Sequence, residues 1–204
     1  MKKILAILIL LMSMSATTAV AQLRYGPTLG LTVSDLHFKQ NLFTVDPSVG
    51  YSGGVAAEMI FPGIGFGVDF GLMYEQRGAT MHLGEKEMWH SQGYVSPRSY
   101  LHYIDIPFHL RFKYTNLQGF EEYVAPFVSA GVDFGFLVAH NKLEAMDYPT
   151  GQIGLSVGGG VELWKHWQVS ASYTWGVTYA MKAAILSGQS AQNRTFNLRV
   201  AYMF

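Results

Sequence analysis

The chain has 204 residues, half of them apolar and 14% charged, with no cysteine and 14 basic residues against 14 acidic. Without a basic excess a nucleic-acid partner is not expected, and the apolar and aromatic content argues against a disordered chain. The lack of cysteine excludes a disulfide scaffold, a cysteine-ligated metal centre and a lipid anchor on an N-terminal cysteine.

At the N-terminus Lys2 and Lys3 precede an apolar run from Ile4 to Met12, and a small-residue stretch ends in Ala19-Val20-Ala21. This pattern predicts a secretory signal peptide over residues 1–21 and a mature domain over residues 22–204. A retained membrane anchor would need roughly 20 apolar residues, about twice this run.

Beyond Gln22 the chain alternates with a period of two, the mark of strands whose two faces differ. The first strand sets Tyr25, Pro27, Leu29, Leu31 and Val33 against Arg24, Gly26, Thr28, Gly30, Thr32 and Ser34. The second sets Tyr51, Val55, Ala57, Met59 and Phe61 against Ser52, Gly54, Ala56 and Glu58, and the third sets Phe66, Val68, Phe70, Leu72 and Tyr74 against Gly67, Asp69, Gly71, Met73 and Glu75. In the fourth, even positions from Tyr100 to Tyr114 are largely apolar, while the odd ones include Asp105, Pro107, His109, Arg111 and Lys113. The fifth, Val124 to Phe136, carries Ser129, Gly131 and Asp133 on its second face, and the sixth, Gln152 to Leu163, carries Ser156, Gly158, Gly160 and Glu162 there. The seventh, Trp167 to Tyr179, opposes its aromatic and aliphatic face with Gln168, Ser170, Ser172 and Thr174. In the last, Phe196, Leu198, Val200, Tyr202 and Phe204 oppose Thr195, Asn197, Arg199, Ala201 and Met203. Strands of roughly 9 to 14 residues suit a tilted membrane crossing.

The second face is small rather than densely charged, and glycine reaches 22 residues, about 11% where roughly 7% is usual. An interior closed by eight strands has room only for packed side chains. Apolar outside with small and polar inside is the pattern of a transmembrane barrel, so the expected fold class is all-β, an eight-stranded antiparallel transmembrane β-barrel. A secreted soluble barrel would place the apolar face inward instead. Two aromatic girdles agree with the membrane reading: Tyr25, Phe61, Tyr114, Trp164, Trp167 and Phe204 at one end, and Tyr51, Tyr74, Tyr100, Phe136, Trp175 and Tyr179 at the other. Short joins at 62–65, 115–122 and 165–166 alternate with longer ones at 36–50, 77–99, 139–150 and 180–192. Outer-membrane barrels keep the short turns periplasmic, which puts both termini in the periplasm and the long loops outside. Pro107 and Pro126 fall inside strands, where each predicts a bulge or a broken ladder.

Several segments then resemble a known group: Tyr103-Ile104-Asp105-Ile106-Pro107, Ala125-Pro126-Phe127-Val128-Ser129-Ala130-Gly131, Gly158-Gly159-Gly160-Val161-Glu162 and the strand ending in Phe204. Together with the signal ending in Ala21-Gln22, they are similar to the PorT-type outer-membrane β-barrel family. The resemblance implies an eight-stranded barrel in a Gram-negative outer membrane. Its name-giving member is associated with type IX secretion, and most relatives have no established activity. No catalytic residue is carried over.

The candidate site is the interior. Glu58, Asp69, Glu75, Asp105, His109, Arg111, Lys113, Asp133, Glu162 and Arg199 all fall on the inward parity. Confined together, they are expected to pair as a plug, since unpaired buried charge is costly. Arg111 and Arg199 are expected to form its cationic centre, each meeting Glu58, Asp69, Asp105, Asp133 or Glu162. His82, Glu85, Glu87, His90 and His102 match no metal-ligand spacing, and no motif sets Ser96 or Ser99 beside His90 or His102 as a nucleophile beside a base. No cofactor and no enzymatic activity are expected. The sequence favours a plugged outer-membrane barrel in contact with outer-membrane lipid, its loops binding a partner or ligand or assisting envelope or secretion-machinery proteins. The alternatives are a small pore and a lipid-modifying enzyme.

Overall fold

A computed structural model describes residues 22–38, 44–61, 65–82, 98–114, 119–141, 146–147, 149–183 and 190–204. The expected signal peptide lies outside them. The described chain is almost entirely strand: β1 (Gln22–Phe38), β2 (Thr44–Ile60), β3 (Phe66–His82), β4 (Arg98–Lys113), β5 (Val124–His140), β6 (Met146–Asp147), β7 (Gly151–Leu163), β8 (Trp167–Ala183) and β9 (Ser190–Tyr202), with one 3-10 turn at Phe120–Glu122. Sequential strands pair antiparallel around the sheet, and β9 pairs with both β8 and β1, so the sheet closes on itself. Eight strands form the wall. The two-residue β6 adds only to the upper end of β8.

Following directly opposed residues around the wall shows how far the strands are staggered. The path runs Arg24, Glu58, Asp69, His109, Gly131, Ser156, Thr174, Thr195 and back to β1 at Ser34. It returns ten residues above its start. Such a shear in an eight-stranded barrel corresponds to a tilt of about 40°. Strands of 17 residues at about 3.3 Å per residue and that tilt rise roughly 40 Å, whereas the apolar band of an outer-membrane barrel is about 25 Å tall. The wall therefore extends past the lipid at one end.

That extension corrects the expected loop boundaries. Leu36 to Phe38, Thr44 to Gly50 and Arg77 to His82 belong to strands, with β1 paired to β9 as far as Phe38↔Ala191 and β2 to β3 as far as Thr44↔His82. Beyond the lipid the sequence loses its apolar and polar alternation, yet backbone pairing continues. Pro107 interrupts its ladder with β3: no rung joins Gly71 and Leu72 to β4, although the register on either side is unchanged. Pro126 disturbs nothing, contrary to expectation. Its carbonyl accepts from Tyr114 N–H at 2.9 Å on the β4 side, so its missing donor faces the point where β4 has already ended.

The faces are inverted relative to a soluble domain. Leu29 is 72% exposed and Leu110 66%, while Glu58 is 1% exposed and Glu75 is fully buried. Among the described residues no helix is long and apolar enough to cross a membrane. At the end that carries both termini, Tyr25, Tyr202 and Phe204 pack together, with Trp167 edge-on to Tyr202. Toward the other end Tyr51, Tyr74 and His102 form a row across β2, β3 and β4, and the Tyr74 hydroxyl lies 2.6 Å from His102 Nδ1.

Candidate functional site in the barrel lumen

Alternation along each strand places the polar set inside, and the shear stacks it in layers. The layer nearest the termini is built from Arg24 on β1, Glu58 on β2, Asp69 on β3, Arg111 and Lys113 on β4, Glu162 on β7 and Gln168 on β8. Arg111 donates from Nη1 to Glu58 Oε2 at 2.5 Å and from Nε to Asp69 Oδ2 at 2.8 Å, while its guanidinium lies 3.9 Å from the Phe127 ring centre. Arg24 Nη1 reaches Glu58 and Glu162, both at 2.8 Å, and Lys113 Nζ reaches Glu162 at 2.7 Å. Gln168 donates from Nε2 to both glutamates and accepts from Arg111. Arginine suits this place because its planar fork can hold two carboxylates at once and stays charged when dehydrated.

A second layer lies farther up. Arg77 on β3 donates to Glu75 from Nε and Nη2 and to Asp105 from Nη2 at 2.7 Å, and its guanidinium lies 5.0 Å from the Tyr103 ring centre. Arg199 Nη2 pairs with the other oxygen of Glu75. His109 Nε2 lies 2.7 Å from Asp133 Oδ1, and Thr174 donates to Asp133 Oδ2. Above this layer Leu36, Ala79, Leu101 and Ala191 are almost wholly buried and form an apolar layer at the loop end. Desolvated charge is tolerable only when paired and hydrogen-bonded, and each of the six inward carboxylates meets at least one cationic or histidine partner.

The expected interior residues thus divide between two layers. Arg111 meets Glu58 and Asp69. Arg199 does not meet any of its expected partners: it is bonded to Glu75, because the stagger of the strands brings β3 at that height across from β9. Sequence reasoning also left out Arg24 and Arg77. Arg24 already had the inward parity of β1, and Arg77 continues the parity of Glu75, so extending the alternation two residues past the expected end of that strand would have found it.

Of the loop residues considered for metal binding or catalysis, Glu85, Glu87, His90 and Ser96, with the side chains of His82 and Ser99, lie outside the described residues. His102 faces outward against Tyr74. Among the described residues no three histidine, aspartate or glutamate side chains are placed to hold a metal ion.

A family model described as an outer membrane protein beta-barrel domain matches residues 15–181. The chain belongs to that family. Outer-membrane location follows for this family member, in agreement with its lipid-facing surface. Among solved structures, the outer-membrane protein OprG of Pseudomonas aeruginosa superposes with a TM-score of 0.53 at 11% identity, over 89% of this chain and 95% of that one. The attachment invasion locus protein Ail of Yersinia pestis gives 0.46 at 14% identity, over 90% of this chain and 99% of that one. Neisserial surface protein A gives 0.42 at 12% identity, over 86% and 96%. No curated protein matches the sequence. At these identities the likeness is one of fold, and fold alone does not assign an activity.

Proposed function

We propose that this outer-membrane barrel is a closed, non-enzymatic scaffold. It stands with its termini in the periplasm and presents its four loop-end connections outside for contact with a partner or ligand, or with secretion-machinery proteins in the manner of PorT-type barrels. The observation that carries this reading is the pairing across the lumen: two layers of ion pairs join opposite strands, and Leu36, Ala79, Leu101 and Ala191 are buried toward the loop end. The orientation rests on connection length. At the terminal end β7 and β8 are joined by three residues and β2 and β3 by five, whereas the connection from β3 to β4 at the opposite end spans residues 83–97.

Reconstitution of residues 22–204 in planar bilayers tests the closed lumen. The expected result is no resolved single-channel current, and steady ohmic openings would replace the scaffold by a pore. Cross-linking on intact cells followed by affinity purification tests the scaffold role. An envelope protein captured by the parent chain, and lost when residues 83–97 are replaced by a short glycine and serine linker, supports it. Mass spectrometry showing altered membrane lipid only when the gene is present would point to an enzyme instead.

A further inference from the structure

The two ion layers do not balance alike. The layer nearest the termini sets Glu58, Asp69 and Glu162 against Arg24, Arg111 and Lys113, so charges of the two signs are equal in number. The second layer sets Glu75 and Arg77 from β3, Asp105 and His109 from β4, Asp133 from β5 and Arg199 from β9 together. Its three carboxylates face only two guanidiniums and one imidazole. Tyr103 of β4 also faces this group, its ring centre 5.0 Å from the Arg77 guanidinium. Among the described residues the other strands add only neutral groups at this height: Thr32 on β1, Ser52 on β2, Gln152 and Ser156 on β7, and Thr174 on β8.

The shortage falls on one carboxyl. Glu75 accepts from Arg77 on Oε2 and from Arg199 on Oε1. Asp133 accepts from His109 Nε2 on one oxygen and from the Thr174 hydroxyl on the other. Asp105 is served on one oxygen only, where Oδ2 accepts from Arg77 Nη2, a donor that it shares with Glu75. Its Oδ1 is buried and meets no donor in the protein. The residue opposite on β5 is Gly135, which has no side chain to offer, and a methyl group built there would fall 2.6 Å from Oδ1. A buried carboxylate short of both counter-charge and donors is costly, and such a group becomes neutral by taking up a proton. A proton on His109 would also balance the layer, but it would leave Asp105 Oδ1 a bare anionic oxygen. We propose that Asp105 is a proton-binding site, its carboxyl held as the un-ionised acid in the folded barrel at neutral pH. Glu75 and Asp133 then balance Arg77 and Arg199, and His109 is neutral. The site does not depend on the scaffold reading, since a pore or an enzyme with these ion pairs would keep it.

Infrared spectra of residues 22–204 folded in lipid nanodiscs at neutral pH test the site. The carbonyl stretch of an un-ionised carboxylic acid is expected in the parent and in Asp69→Asn, and it should vanish in Asp105→Asn. An aspartate in the unfolded chain is ionised above about pH 4. Folding then takes up a proton, so stability falls as pH rises. In urea the unfolding constant of the parent should rise about tenfold more per pH unit than that of Asp105→Asn between about pH 5 and pH 7. Asp105→Ser serves for both measurements if the first variant does not assemble. A parent without the band, a band that survives replacement of Asp105, or equal pH slopes would overturn the proposal. So would nitrogen NMR that finds His109 as an imidazolium at neutral pH, because the proton would then sit there.

Discussion

Arg77 and Glu75 stand two residues apart on β3 and form a clasp on one face of one strand, with Arg77 Nε and Nη2 both on Glu75 Oε2 at 2.9 and 2.8 Å. Residues i and i+2 share a face roughly 6.6 Å apart, within reach of two long side chains, and here the guanidinium also reaches Asp105 across the β3–β4 ladder. Both side chains are almost completely buried, Arg77 at 4% and Glu75 at 1% side-chain exposure.

Removing the cation should therefore be costly. Arg77→Ala leaves Glu75 and Asp105 with too little positive charge in a dehydrated lumen, and loss of one partner of a buried pair costs about 3 to 5 kcal/mol. Urea unfolding of the refolded barrel in detergent should show a clearly lower midpoint. An unchanged midpoint would mean that the clasp is not a stabilising contact.

The outward face is tested by Val132, which lies on β5 between Phe108 and Leu155. Val132→Arg places a charge near the middle of the apolar band, at a cost of roughly 2 to 4 kcal/mol. Folding into vesicles and comparison of folded fractions across denaturant measures it. Asp69→Asn, on the opposite face, should insert normally.

Gly26 closes the seam between the first and last strands. A methyl group built there falls well inside contact distance of the Tyr202 carbonyl oxygen and close to the Met203 backbone. Gly26→Ala should then destabilise by about 1 to 3 kcal/mol through forced backbone displacement. The loss should appear as a weaker heat-modifiable band on gels, and Gly151→Ala, whose added carbon meets nothing within 4 Å, is a control for glycine replacement away from the seam.

The β7–β8 turn is strained. Trp164 and Lys165 have φ of 50° and 62°, the left-handed region that two-residue hairpins usually fill with asparagine and glycine. Lys165→Gly removes one strained position and an exposed ion pair to Glu122, which contributes little. A net gain of about 1 kcal/mol in the urea midpoint is expected. A loss would show that the Lys165 side chain outweighs its backbone strain.

Side-chain parity was readable in the sequence at all eight wall strands, because lipid on one side and a packed lumen on the other leave opposite chemical signatures at alternate residues. Strand ends were harder. Toward the loop end polar residues such as Asp35, His37 and Gln192 occupy both parities, and the contrast that reveals parity fades while the ladder continues. Partnerships were least legible. Glu75 and Arg199 were both visible as inward ions, but that they meet depends on a ten-residue stagger accumulated around the closed sheet, which no single strand encodes. Arg77 was passed over because the third strand was drawn too short, whereas Arg24 stood on the inward face of the first strand and was left out of the ion set.

The ion layers draw their members from both ends of the chain. Glu75 waits for Arg199 on the last strand, and Arg24 on the first strand waits for Glu162 and for the Lys165 carbonyl of the β7–β8 turn. Until the seam between β1 and β9 is made, a growing sheet carries mismatched charges on the surface that will become its interior. A chain truncated before β9, or one whose register slips by two residues, would lose the Arg199–Glu75 pair and leave Arg77 alone to meet both Glu75 and Asp105. Charge pairing inside the barrel in this way favours the closed sheet in its correct register over a slipped one.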